Sequence, residues 1–151
     1  MTLRRWTVAA LAVSSLLAGC QGEDGAAEDT APATLTPVAG TDRFTVGLSA
    51  DAADRLGVRT TGIRGVGGQG SAIPVGSRLV MPYAGVIYDA GGSTWTYVQT
   101  AANTFTRQRL RITSVVGSRA YLKSGPEEGT RVVVVGAPEL FGAEYQIAGE
   151  E

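Results

Sequence analysis

Met81-Pro-Tyr-Ala-Gly-Val-Ile-Tyr-Asp-Ala-Gly-Gly-Ser-Thr-Trp-Thr-Tyr-Val98 consists of two apolar runs about a glycine-bearing turn, and its reading decides the fold. Leu79 to Tyr88 and Thr94 to Gln99 are rich in β-branched and aromatic residues. Between them Asp89-Ala-Gly-Gly92 tolerates φ > 0 where the chain must reverse, so the stretch predicts a β-hairpin at the centre of a sheet. The first run is apolar at both parities, with Leu79, Met81 and Ile87 on one face and Val80, Val86 and Tyr88 on the other. That pattern predicts a strand covered on both sides.

Downstream of the hairpin, Thr104 to Thr113 alternates Phe105, Arg107, Arg109 and Arg111 on one face with Thr106, Gln108, Leu110 and Ile112 on the other. This predicts a strand carrying a basic stripe. Gly117 turns the chain, and Arg119, Tyr121 and Lys123 then alternate with Ala120 and Leu122, so a second strand lays two more cations beside the first three. The stripe reads either as a solvated sheet face or as a docking patch for anionic lipid or an acidic partner. Ser124-Gly-Pro-Glu-Glu-Gly129 is a turn cluster with exposed charges, and Arg131-Val-Val-Val-Val-Gly136 is a strand apolar on both faces. Pro138-Glu-Leu-Phe-Gly142 predicts a single helical turn ended by its glycine, before a frayed tail at 148–151.

Upstream, order is expected to begin at Arg43. Phe44, Val46 and Leu48 alternate with Thr45, Gly47 and Ser49 as a half-buried strand. Ser49 can cap a short helix, Ala50 to Leu56, stopped by Gly57, after which Val58 to Arg64 resumes extended structure. Gly65-Val-Gly-Gly-Gln-Gly70 formally matches the dinucleotide pattern G-x-G-x-x-G. That pattern needs a helix N-terminus to meet the pyrophosphate, and Ala72-Ile-Pro-Val-Gly76 cannot open one, so the segment reads as a loop.

Residues 1–19 have a short basic start (Arg4, Arg5), an apolar run from Trp6 to Leu17 and small residues at the end, the pattern of a secretory signal peptide. Leu17-Ala-Gly-Cys20 resembles the lipobox of bacterial lipoproteins, which implies that Cys20 becomes the acylated first residue of the mature chain. Each buried acyl CH₂ contributes about 0.8 kcal/mol, so several chains on one residue would hold the domain to a membrane. Gln21 follows where the Gram-negative retention signal has Asp, which allows outer-membrane sorting. Residues 20–41 are rich in Ala, Gly, Pro and Thr with four acids and read as a disordered tether, whose reach is about 25 Å.

Formal net charge is -1, and the loss of Arg4 and Arg5 with residues 1–19 leaves 11 basic against 14 acidic side chains, net -3. This balance carries no nucleic-acid signature. The chain has no histidine and one cysteine, which removes the commonest general base and any internal disulfide. The ordered carboxylates, Asp42, Asp51, Asp54, Asp89, Glu139 and Glu144, are scattered; Met81 would be the only methionine after cleavage. No enzyme, cofactor or metal site is expected.

The ordered region resembles the membrane-proximal domain of periplasmic adaptor (membrane-fusion protein) subunits of bacterial efflux pumps. The residues that carry the resemblance are Phe44-Thr-Val-Gly-Leu-Ser-Ala-Asp-Ala-Ala-Asp-Arg-Leu-Gly-Val-Arg-Thr60, then Val80 to Val98, Phe105-Thr-Arg107, Leu122-Lys-Ser-Gly125, Gly129-Thr-Arg-Val-Val133 and Gly136-Ala-Pro-Glu-Leu-Phe-Gly-Ala-Glu144, about a hundred residues in matching order. In that family a long insertion of β-barrel, lipoyl-like and helical-hairpin domains separates the two blocks, whereas here only Gly65 to Ser77 does; Pro126 also replaces the family's usual Leu.

The resulting expectation for residues 42–147 is an all-β domain, a small antiparallel barrel or sandwich of about six strands with one short helix. The resemblance implies a non-catalytic lipoprotein on the extracytoplasmic face of a membrane, periplasmic if the host has an outer membrane. It would dock onto a transporter permease or a full-length adaptor subunit, with Arg107, Arg109, Arg111, Arg119 and Lys123 as the candidate surface. The alternative is a stand-alone ligand-binding envelope lipoprotein, for which a deep apolar cavity would be the sign.

Overall fold

The computed structural model of the protein describes residues 31–66 and 73–148. Cys20, the signal-peptide segment, the centre of the glycine loop (67–72) and residues 149–151 lie outside the described residues. The described chain runs β1 (Ala33–Pro37), β2 (Phe44–Leu48), α1 (Ala50–Leu56), β3 (Arg59–Gly62), β4 (Arg64–Gly65), β5 (Leu79–Pro82), a 3-10 turn (Tyr83–Gly85), β6 (Ile87–Tyr88), β7 (Thr94–Ala101), β8 (Thr104–Val116), β9 (Arg119–Ser124), β10 (Arg131–Val135) and α2 (Ala137–Ala148).

The strands pair antiparallel in the order β3-β10-β7-β8-β9-β5-β4, with β1 and β2 extending from β8 and β6 from β7. The two end strands of this path, β3 and β4, are joined in the chain by Ile63 alone. The sheet must therefore curl until its ends meet, which makes a nearly closed all-β barrel. Its longest strand, β8, spans both halves: the part up to Leu110 pairs with β7 and the part from Arg111 with β9, across register shifts between Arg111 and Ser114. Such shifts bend a strand and sharpen its twist, as a barrel corner requires.

Alternation then produces two cores. Ile63, Met81, Val98, Leu110, Leu122 and Val132 fill the barrel interior, while Val46, Tyr97, Phe105 and Val133 face outward and are covered by Ala137 and Leu140 of α2. Adjacent residues on β7 (Tyr97, Val98) and on β10 (Val133, Val132) serve different cores, so both strands are apolar on both faces. The reading of residues 131–136 as an interior strand agrees with this.

α1 has the caps its sequence indicates. The Ser49 side chain accepts from the Ala52 amide, and Gly57 closes the helix at φ 60°, the left-handed region that glycine enters without strain.

Four expectations are corrected. The strand count is ten among the described residues, more than six, and there are two helices, not one. Order begins before Arg43: residues 33–37, read as tether, pair along their whole length with β2 and pack Leu35 against the core. Leu79–Tyr88 is not one strand. Pro82 has no N–H to continue the ladder, the Tyr83–Gly85 turn follows, and the chain changes sheet neighbours, with β5 paired to β9 and β4 and only Ile87 and Tyr88 paired to β7. The expected hairpin survives as those two pairs. Finally, α2 continues through Gly142, because Ala137, Leu140 and Glu144, at helical spacing, are all buried against the sheet.

Candidate functional site

The candidate surface from Arg107 to Lys123 separates into three environments. β8 does place Phe105, Arg107 and Arg109 on one face, opposite Val46, Tyr97 and Trp95. α2 covers the start of that face, so Arg107 is 4% exposed and cannot be a docking residue.

Its guanidinium instead belongs to a buried cluster. Glu144, 1% exposed on α2, accepts from Arg107 Nε (2.9 Å) and the Phe44 amide (3.2 Å) on Oε1, and from the Tyr97 hydroxyl (2.5 Å) on Oε2. Arg107 Nη2 also donates to the Asp42 carbonyl at 3.3 Å, and Arg43 Nη1 donates to the Arg107 carbonyl at 3.1 Å. The guanidinium carbon lies 4.8 Å from the Trp95 ring centre and 5.7 Å from that of Tyr145. Burial, and then the hydrogen bond to the Glu144 carboxylate, push the Tyr97 phenol far above its ordinary pKa. Desolvation opposes the charge on Arg107, but the Glu144 carboxylate beside it outweighs that and raises its pKa. Both carboxylate oxygens are engaged by fixed donors, so the cluster ties β2, β7, β8 and α2 together and leaves no free base for proton transfer.

Arg109 is exposed, donates to Ser93 Oγ at 3.0 Å and lies 5.7 Å from the Trp95 ring. It decorates the β6–β7 turn, where Asp89 receives the Ser93 amide (2.7 Å) and Trp95 Nε1 (2.9 Å). The Trp95 hydrogen bond and then the Ser93 amide hold the Asp89 carboxyl below its usual range. Asp89 is thus a turn-closing residue.

Arg111, Arg119 and Lys123 are exposed on the barrel half made of β4, β5, β9 and the end of β8. Two arginines that sequence reading left out join them: Arg64 on β4 and Arg78, just before β5. Arg64, Val80, Tyr121 and Ser114 form one cross-strand row, and Pro82, Arg119 and Val116 form the next. A shallow pocket of about 210 Å³ lies among Thr61, Gly62, Arg64, Val80, Met81, Pro82 and Arg119. No sequence periodicity could have joined Arg64 to Arg119, because their proximity depends on β4 and β9 flanking β5.

On the opposite side, a groove of about 940 Å³ runs between β1, α1 and α2, with Ala33, Leu48, Ala52, Leu56, Gly142 and Ala143 in its walls and Arg55 and Glu139 at its margins. Among the described residues no three carboxylates converge to hold a metal ion. No protein-family model matches this chain, and no curated protein matches it.

Proposed function

We propose that the protein is a non-catalytic envelope lipoprotein, acylated at Cys20 and held on the extracytoplasmic face of a membrane, which docks onto an efflux-type transporter through its permease or a full-length adaptor subunit. One observation supports this reading above the others. The two sequence blocks that resemble the adaptor's membrane-proximal domain lie in one barrel, and their facing ends are joined: β4 pairs with β5, and the Val66 amide donates to the Arg78 carbonyl at 2.9 Å. A domain of that family without the insertion would keep the docking module and lack the parts that reach an outer-membrane channel. The engaged state of Glu144, the most buried carboxylate among the described residues, supports the non-catalytic half of the proposal.

Ligand binding is the second reading, and the groove between β1, α1 and α2 favours it, since its walls are largely apolar. The barrel interior argues the other way, because Ile63, Met81, Val98, Leu110, Leu122 and Val132 occupy it. Co-purification of the acylated protein from its own membranes in mild detergent tests the proposal. Recovery of a permease or full-length adaptor in fixed ratio is the expected result; recovery of lipid alone overturns it in favour of ligand binding.

A further inference from the structure

We infer that the outer face of the β4-β5-β9-β8 half of the barrel is a docking surface for an anionic phospholipid bilayer. Five exposed cations lie on it, Arg64, Arg78, Arg111, Arg119 and Lys123, and the four strand segments carry no acid. None of the five is in a salt bridge among the described residues, where the one ion pair is Arg107–Glu144. Glu128, whose carboxylate lies over Gly65, bounds the patch at the β4 edge.

Charge segregation gives this face its meaning. The chain is net acidic, so an anionic surface repels it unless it presents one side. On α1 and α2, which pack on the other core, the exposed acids Asp51, Asp54 and Glu139 outnumber the one exposed cation, Arg55, so the cations of the β4-β5-β9-β8 half face away from a mildly acidic side. The apolar residues on the basic side suit lipid. Val116, paired with Arg119 at the β8–β9 turn, is 55% exposed, and its neighbour Val115, paired with Ala120 on the other face of the sheet, is 42% exposed at the same rim. Valines at the rim of a cationic sheet can enter the headgroup–acyl boundary while the arginines meet phosphates. The pocket between Arg64 and Arg119 offers two guanidinium groups to one headgroup phosphate. A bilayer offers both chemistries side by side, repeated phosphates for the unpaired cations and an adjoining acyl boundary for the rim valines.

The test places a reporter at the turn. In the chain from residue 20 onward carrying Cys20→Ser, so that neither the apolar run at 6–17 nor another thiol is present, Val116→Cys is labelled with an environment-sensitive fluorophore. The protein is titrated with vesicles of phosphatidylcholine alone and of phosphatidylcholine with an equal part of phosphatidylglycerol. The expected result is a blue shift on the anionic vesicles only, lost at high salt. The paired change Arg64→Glu and Arg119→Glu moves its midpoint to roughly tenfold more lipid or beyond. Arg64→Gln with Arg119→Gln serves if the reversed pair fails to fold, with a smaller displacement in the same direction. An equal shift on neutral vesicles, or none on either, overturns the proposal; the second outcome points to an acidic protein instead. Abolition of the shift by millimolar inorganic phosphate also overturns it, in favour of a small-anion site. The inference stands apart from the transporter reading, and its failure would leave that reading intact.

Discussion

The Nε of Arg107 lies 2.9 Å from Oε1 of Glu144, with the two side chains 5% and 2% exposed, and this pair fastens α2 to the first part of the longest strand, β8. A sheet face that reads as basic and solvated is thereby converted into core. The pair is not isolated: the Phe44 amide also donates to Oε1 and the Tyr97 hydroxyl to Oε2 of the carboxylate.

Removing one partner strands the other. Glu144→Ala leaves a buried guanidinium, a phenol and an amide without their acceptor, so it should cost about 3–5 kcal/mol. Arg107→Met combined with Glu144→Leu should cost clearly less than the two single changes added together, because neither charge is then left unpaired. Urea denaturation of the four proteins measures this, and a single-variant loss below about 1 kcal/mol would contradict the clamp.

Tyr97 predicts an alkaline limit. Its folded pKa is raised by burial and by Glu144 above the unfolded phenol value of about 10. Above that pH the unfolded chain releases a proton that the folded chain keeps, so the stabilisation is fully present below about pH 10 and declines as pH rises further. The slope of unfolding free energy between about pH 10 and 11 should be less steep in Tyr97→Phe than in the wild type. Equal slopes would remove Tyr97 from the account.

Two glycines should respond with opposite signs. A Cβ at Gly142 meets nothing within 4 Å, so Gly142→Ala should raise stability by about 0.5–1 kcal/mol through helix propensity alone. At Gly85 a Cβ would come to 2.5 Å of the Val133 carbonyl and 2.9 Å of Met81 Cε, so Gly85→Ala should destabilise by about 1–3 kcal/mol. Thermal melts of both variants check the path of α2 and the packing of the Tyr83–Gly85 turn on β10 at once.

Cys20→Ala should release the protein from membranes or leave it as the unprocessed precursor. Carbonate-washed membrane fractions, probed beside the wild type, measure this. Unchanged fractionation and unchanged size would remove acylation from the proposal.

Local signals carried the parts of the fold that are locally determined. Ser49 and Gly57 mark both ends of α1 in the chain itself, and the alternation from Phe44 to Leu48 becomes β2 unchanged. What could not be read needed partners distant in sequence. Residues 33–37 alternate weakly inside a Pro- and Thr-rich stretch, and they become a strand because β2 supplies a ladder and the core receives Leu35. Gly142 ends a helix by propensity but sits inside one because Leu140 and Glu144 on either side of it are held by packing. Arg107 has the parity the sequence gives it; its burial comes from Glu144, 37 residues away. The basic patch was half legible, since Arg111, Arg119 and Lys123 stand out in the chain whereas Arg64 and Arg78 join them only through the pairing of β4 and β5 with β9. Pro82, a proline within an apolar run, is a local signal of the break: it ends β5 and lets the chain change sheet neighbours.

The most direct test of the central claim is crosslinking in living cells of the acylated protein, with captured partners identified by mass spectrometry. A transporter permease or a full-length adaptor subunit is the expected reproducible crosslinked species, absent when Cys20→Ala is used. Capture of bulk envelope proteins alone, identical for the two proteins, would contradict it.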